Sequence, residues 1–185
     1  MTATFEIDSD SAEVTRVLAS RLAAVLLPGD VLALDGDLGA GKTCFVTGLA
    51  GALGCGAGVS SPTFTILMAH PTTSADQMLY HFDVYRLNGA ADFKDAGLAD
   101  YFDAGGFCLI EWADRIRPLL PPHTIYLRIK RQEAVSDSYE TAADGALVLP
   151  PDHAARRLVF SGPVERIAAI RRALTPGKET PGDVE

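Results

Sequence analysis

Cysteine, tryptophan and basic residues are all scarce in this sequence. Three cysteines, Cys44, Cys55 and Cys108, are scattered over 185 residues, with no Cys-x-x-Cys pair among them. An odd and dispersed set builds no disulfide framework, so reduced thiols, buried or half-buried, are expected. No apolar run reaches the roughly 20 residues that a membrane-spanning helix needs. Met1 to Asp10 carries acids where a signal peptide would place a basic stretch and then an apolar one. A soluble, cytoplasmic protein is therefore expected. Lys and Arg total 16 against 24 Asp and Glu, a net charge of −8. Phosphate neutralisation needs clustered cations, so this balance argues against a stand-alone nucleic-acid binder.

What is present is a folded core. Hydrophobic residues make up 48% of the chain, too many for a disordered polymer. The length suits one α/β domain, expected over residues 1–174, followed by a tail, Thr175 to Glu185, of disordered composition. Asp10 with Glu13 reads as a capping box. Val14, Val17, Leu18, Leu22, Val25 and Leu26 then recur at helical spacing up to the Pro28-Gly29 stop. Val31 to Leu34 is a short continuous apolar run, the pattern of a strand buried on both faces. A helix is expected from Lys42 to about Leu53, and strands over Thr63–Ala69 and Met78–Tyr85 as an antiparallel pair. Asp92 to Phe102 reads as helical. Phe107 to Ile110 is a second continuous apolar run, and Thr124 to Ile129 a further strand. Gln132 to Asp152 reads as a loop or loose hairpin, Arg156 to Ser161 as a last strand, and Pro163 to Leu174 as a helix with proline in its first turn.

Between the first apolar run and the helix after it lies Gly36-Asp37-Leu38-Gly39-Ala40-Gly41-Lys42-Thr43, which fits the phosphate-loop spacing Gly-x4-Gly-Lys-Thr. Glycines let the backbone curl until its N–H groups converge on phosphate oxygens, and the following helix N-terminus adds partial positive charge. In this pattern the lysine reaches the β- and γ-phosphates and the hydroxyl of the next residue ligates Mg²⁺. Lys42, Thr43 and the preceding loop are therefore candidate ATP and Mg²⁺ residues.

Mg²⁺ takes one or two carboxylates and keeps several waters. Glu111, which ends the Phe107–Ile110 run, is the better metal candidate. Asp83, in the alternating Tyr80 to Arg86 stretch, is expected near the metal's water shell or the attacking water. His81 reads either as a packed, hydrogen-bonded residue or as a neighbour of the phosphates. Ser61-Pro62-Thr63-Phe64 either senses a γ-phosphate or simply starts a strand. The single tryptophan, Trp112, follows Glu111 directly. The Asn-Lys-x-Asp guanine-reading motif is missing, which favours ATP over GTP. A small-molecule phosphotransferase and a nucleotide-gated adaptor are the competing classes, although the chain is short for a kinase with its own lid and acceptor domain.

The ordered set Gly36 to Thr43, Ser61 to Phe64, His81-Phe-Asp-Val-Tyr-Arg-Leu87 and Ile110-Glu-Trp112 closely resembles the TsaE (YjeE) family, the ATPase component of bacterial tRNA threonylcarbamoyladenosine synthesis. The resemblance spans about Asp10 to Ile129. It implies a P-loop NTPase fold, an α/β three-layer sandwich with a mixed parallel and antiparallel sheet. It implies a Mg²⁺-dependent ATPase that is weak alone and acts with the partner proteins TsaB and TsaD. ATP hydrolysis would reset that complex between rounds of modifying the adenosine next to the anticodon, and tRNA would be met only indirectly. By position, the catalytic set would be Lys42, Asp83, Glu111 and Thr63. Thr43, Glu111 and Asp83 would serve the metal. The nucleotide would meet Gly36, Asp37, Leu38, Gly39, Ala40, Gly41, Lys42, Thr43, Cys44, Trp112, Arg156 and, at a helix start, Ser11. Cys44 departs from the family's usual Thr or Ser and would contribute its backbone N–H.

Overall fold

The computed structural model describes residues 1–56, 58–74, 77–132, 140–141, 147–148 and 154–175. Along the chain run β1 (Thr2–Ser9), α1 (Ala12–Ala23), β2 (Val31–Asp35), α2 (Lys42–Ala52), β3 (Leu67–Pro71), β4 (Met78–Asp83), α3 (Ala90–Asp95), β5 (Phe107–Glu111), β6 (Ile125–Arg131), β7 (Glu140–Thr141), β8 (Leu147–Val148), β9 (Arg156–Pro163) and α4 (Val164–Leu174). Two 3₁₀ segments, Leu98–Asp103 and Ala113–Leu119, flank β5. Seven strands form one sheet in the order β1-β9-β6-β2-β5-β4-β3. The β6-β2-β5-β4 stretch is parallel, while β3 and the β1-β9 pair add antiparallel edges. The sheet is mixed and the fold is α/β.

The two continuous apolar runs become β2 and β5, buried at every position because helical segments cover both faces of the sheet. Leu32, Leu34, Leu109 and Leu127 share a core with Leu22, Phe45, Leu49 and Ile170 of α1, α2 and α4. On the opposite face Val31, Ala33, Cys108 and Ile110 meet Phe93, Phe102 and Ile116. Successive strand side chains alternate between faces. Phe107 and Leu109 belong to the α2 side, so Glu111 points that way too. Leu79 does likewise on β4, which carries His81 and Asp83 with it. Asp83 and Glu111 are register partners across the β4–β5 pair. The fold thus brings two acids 28 positions apart to one sheet edge, beneath the start of α2.

Several local expectations are corrected. The cap of α1 is Ser11, whose side chain accepts from Val14 N at 3.1 Å; Glu13 pairs with Arg16 instead of closing a box with Asp10. The helix ends at Ala23, short of Val25 and Leu26. The third strand starts at Leu67 and not at Thr63, because Thr65 N and Ile66 N both donate to Pro62 O and close a turn. Ile66 completes that turn at φ 66°, a strained conformation for a β-branched residue. The fourth strand stops at Asp83, and Tyr85 lies in a turn. The Asp92–Phe102 segment divides at Gly97, φ 69°, into α3 and a 3₁₀ segment. Strand β1 and the 3₁₀ segment at Ala113–Leu119 were not expected. Within Gln132–Asp152 the short β7 and β8 pair antiparallel as a hairpin would; apart from Gln132, the rest of that segment, and all of the expected tail after Thr175, lie outside the described residues. Among the described residues no helix is long and apolar enough to cross a membrane.

Candidate functional site

The loop between β2 and α2 is held from behind at two points. Gly36 adopts φ 149°, and a Cβ there would fall 2.4 Å from Ile129 O of β6. Gly41, at φ 109°, caps α2, and a Cβ there would fall 2.7 Å from Arg156 Nε. Arg156 is fully buried at the start of β9; its Nε donates to Ala40 O at 3.1 Å and its guanidinium to Ala154 O at 2.7 Å. Only glycine fits at either position, so the curl of the loop is fixed by neighbouring strands as well as by its own sequence.

Lys42 opens α2 and is nearly buried. Its Nζ donates to Gly36 O at 2.8 Å and Asp37 O at 3.0 Å, and sits 3.6 Å from the Trp112 ring centroid. Burial pushes its pKa below the ordinary 10.5, and the Glu111, Asp83, Asp35 and Asp37 carboxylates oppose that shift. A partly desolvated ammonium at a helix N-terminus is a strong donor site for an anion. Beside it the Thr43 hydroxyl donates to Glu111 Oε2 at 3.1 Å. The other oxygen, Glu111 Oε1, lies 2.9 Å from His81 Nε2, and both residues are buried.

Asp83 is engaged on both oxygens. Ser61 and Thr63 hydroxyls donate to Oδ2 at 2.5 and 2.9 Å, and Tyr85 N donates to Oδ1 at 3.0 Å. The Ser61–Phe64 loop is therefore tied to an acid that stands beside Glu111. Trp112 adopts φ 63°, anchored by its N–H to Leu34 O at 3.0 Å, and its ring lies 5.0 Å from that of Tyr85.

These groups converge on a cavity of about 340 Å³ lined by Leu38, Gly39, Gly41, Lys42, Thr43, Cys44, Ser61, Thr63, Asp83, Tyr85, Glu111 and Trp112. Gly36, Ala40 and Arg156 do not line it; they buttress the loop. Asp37 faces a second cavity, of about 580 Å³, on the other side of Trp112. Ser11 also stands apart as the α1 cap, although Cys44 Sγ donates to Ala12 O at 3.3 Å and joins the two helix starts. Tyr85 is a lining residue that sequence reasoning passed over; its position in the His81–Leu87 motif was the available signal.

The Thr43 hydroxyl and the Glu111 and Asp83 carboxylates are hard oxygen donors of the kind Mg²⁺ takes. Among the described residues no three His, Cys, Asp or Glu side chains close on one point as a metal cage. Few protein oxygens are what suits a Mg²⁺ whose remaining ligands are water and phosphate.

A family model described as threonylcarbamoyl adenosine biosynthesis protein TsaE matches residues 9–139. The tRNA threonylcarbamoyladenosine biosynthesis protein TsaE of Bacillus subtilis is 46% identical over 119 residues, 64% of this chain and 73% of that protein. The TsaE protein of Treponema pallidum is 40% identical over 122 residues, 66% of this chain and 88% of its own length. The crystal structure of Bacillus subtilis YdiB superimposes with a TM-score of 0.67 at 32% identity, covering 94% of this chain and 95% of that one. The family model covers the β2–α2 loop, both acids and Trp112, and on that match the chain belongs to the TsaE family of tRNA threonylcarbamoyladenosine biosynthesis proteins.

Proposed function

We propose that this protein binds ATP with Mg²⁺ in the 340 Å³ cavity and hydrolyses it, as the nucleotide-driven subunit of a tRNA threonylcarbamoyladenosine-forming assembly with TsaB and TsaD. The observation that carries this reading is the convergence of Lys42, Thr43 and Glu111, from β5 and the start of α2, on one curled glycine loop.

The loop's backbone N–H groups and the α2 N-terminus receive the phosphates. Lys42 exchanges the Gly36 and Asp37 carbonyls for phosphate oxygens and compensates their charge. Thr43 and Glu111 are the residues that hold Mg²⁺, which supplies neutralisation of charge on the phosphates when bound. Asp83, at the same sheet edge, positions a water for attack, and Thr63 and Ser61 report the state of that acid to their loop. Trp112 and Tyr85 wall the cavity and exclude bulk water. Because Asp83 and the Ser61–Phe64 loop are hydrogen-bonded together, loss of a γ-phosphate is positioned to change the exposed surface around Phe64, which a partner protein would read.

The test is to incubate the protein with γ-labelled ATP and Mg²⁺, alone and with TsaB and TsaD. Phosphate released to water, and faster with both partners, is the expected result. Label recovered on a metabolite would make the protein a phosphotransferase. Sustained turnover of the assembly with a non-hydrolysable analogue would reduce the nucleotide to a gate.

A further inference from the structure

We propose that His81 is the positioning residue for Glu111: through a single hydrogen bond to Oε1 it fixes the rotation of the carboxylate beside Thr43, and so sets the affinity of the site for the divalent cation. This inference rests on the nucleotide and Mg²⁺ reading above.

His81 lies on β4 and Glu111 on β5. The register pairs His81 with Leu109 and Asp83 with Glu111, so His81 and Glu111 are diagonal neighbours on one face of the sheet. The His81 ring is fully buried, and its Nε2 lies 2.9 Å from Glu111 Oε1. Its other nitrogen, Nδ1, is buried and has no hydrogen-bond partner. That asymmetry places the ring proton. A carboxylate oxygen is an acceptor, so Nε2 carries the hydrogen and donates it. A proton on Nδ1 would be a buried donor with nothing to receive it, which is the costlier arrangement.

The consequence falls on Glu111. Its Oε1 is held by His81, and the Thr43 hydroxyl lies 3.1 Å from Oε2 and 3.4 Å from Oε1. A buried carboxylate lacking the first contact would be held by the Thr43 hydroxyl alone, its two oxygens sharing one donor. The histidine therefore removes orientational freedom before a cation arrives, and it does so without touching the cavity: His81 is not among the residues that line it. A hydrogen bond to the far oxygen of a carboxylate orients it in the way that outer hydrogen bonds orient ligands in other metal sites.

Calorimetric titration of the full chain with ADP, with and without Mg²⁺, separates this role from packing and does not depend on turnover. His81→Leu keeps an apolar volume and removes the donor. Glutamine carries its amide nitrogen about as far along the side chain as Nε2, whereas asparagine places it near Nδ1, away from Glu111. His81→Leu and His81→Asn are expected to raise the Mg²⁺ concentration needed for tight ADP binding by roughly tenfold or more. ADP affinity in EDTA is expected to stay at the wild-type value, and His81→Gln to recover most of the Mg²⁺ response. Equal Mg²⁺ dependence in the Gln and Asn variants, or an unchanged dependence in His81→Leu, would overturn the assignment. The Gln and Asn pair, with melting temperatures measured alongside, decides the matter if the leucine variant does not fold. A wild-type protein whose ADP binding ignores Mg²⁺ would instead sink the underlying reading, and the inference with it.

Discussion

The α-carbon of Gly36 is pressed so close to β6 that a Cβ on it would lie 2.4 Å from Ile129 O. This contact joins the β2–α2 loop to the strand beside it, and it makes residue 36 a position decided by backbone approach. Gly36→Ala has to move either the loop or β6, and it also meets φ 149°. A loss of about 2–4 kcal/mol of stability is expected. Denaturant unfolding of the two proteins measures it, and equal midpoints would contradict the contact.

A second glycine sets the crossing of α1 and α2. A Cβ on Gly48 would stand 2.6 Å from Arg16 O and 2.7 Å from Arg16 Cα, both backbone atoms that cannot rotate away. Gly48→Ala gains helix propensity but must spread the helices. The steric term is expected to win, with a net loss of about 1–3 kcal/mol by thermal or denaturant unfolding. A more stable variant would show that the helices separate at little cost.

Lys42→Met keeps the aliphatic stem and removes the ammonium. A hydrogen bond to a charged group is worth about 1.5–3 kcal/mol, so ATP affinity is expected to drop by more than about tenfold. Titration calorimetry reads this directly, and an affinity within twofold of wild type would remove Lys42 from the site.

Glu111→Gln retains the shape of the side chain and one acceptor oxygen, enough for the His81 Nε2–H, while removing the charge. Mg²⁺-dependent ATP hydrolysis is expected to fall by roughly 10²-fold or more, with ATP affinity in EDTA little changed. Steady-state phosphate release beside equilibrium binding separates the two effects. Full activity would exclude Glu111 from the metal site.

Asp35 offers a pH test of the core behind the loop. Burial raises its carboxyl above the ordinary 3.8; the hydrogen bond from Asp114 N, at 3.0 Å, opposes the shift, and the Asp114 charge adds to it. A raised folded-state pKa means that ionising Asp35 costs stability. The cost is absent below pH 3.8, grows as pH rises through the folded-state pKa, and is constant above it. Asp35→Asn keeps the acceptor for Asp114 N. It is expected to be more stable than wild type at neutral pH, with the advantage vanishing in acid. Unfolding free energies compared across that range check the sign, and a less stable asparagine variant at neutral pH would refute it.

The legible part of the fold was the part governed by short sequence patterns. β2 and β5 showed as continuous apolar runs, the glycine loop as a spacing, and α2 and α4 as helical stretches with suitable starts. Thr63 to Ile66 has the composition of a strand, yet its amides turn back onto Pro62 O. Strand β1 does alternate, with Ala3, Phe5 and Ile7 set between Thr4, Glu6 and Asp8, so a signal was there and was passed over; what the segment did not carry is its partner, eight residues of β9 from the far end of the chain. At the site, Lys42, Thr43, Glu111 and Asp83 were legible as residue types in a motif. The 2.9 Å bond from His81, and the use of Arg156 as a buttress instead of a lining residue, were not.

By itself the sequence determined the chemistry available: a glycine loop able to curl, one lysine and one hydroxyl at a helix start, and acids at the ends of two strands. Those are local facts, fixed by residue type, spacing and the period of each element. Only the tertiary structure decided which of these groups meet. Parallel pairing of β4 with β5 and of β5 with β2 set their ends level beneath α2, and side-chain alternation turned His81, Asp83 and Glu111 to the same face. Register is a relation between strands distant in the chain, and no stretch of sequence contains it alone.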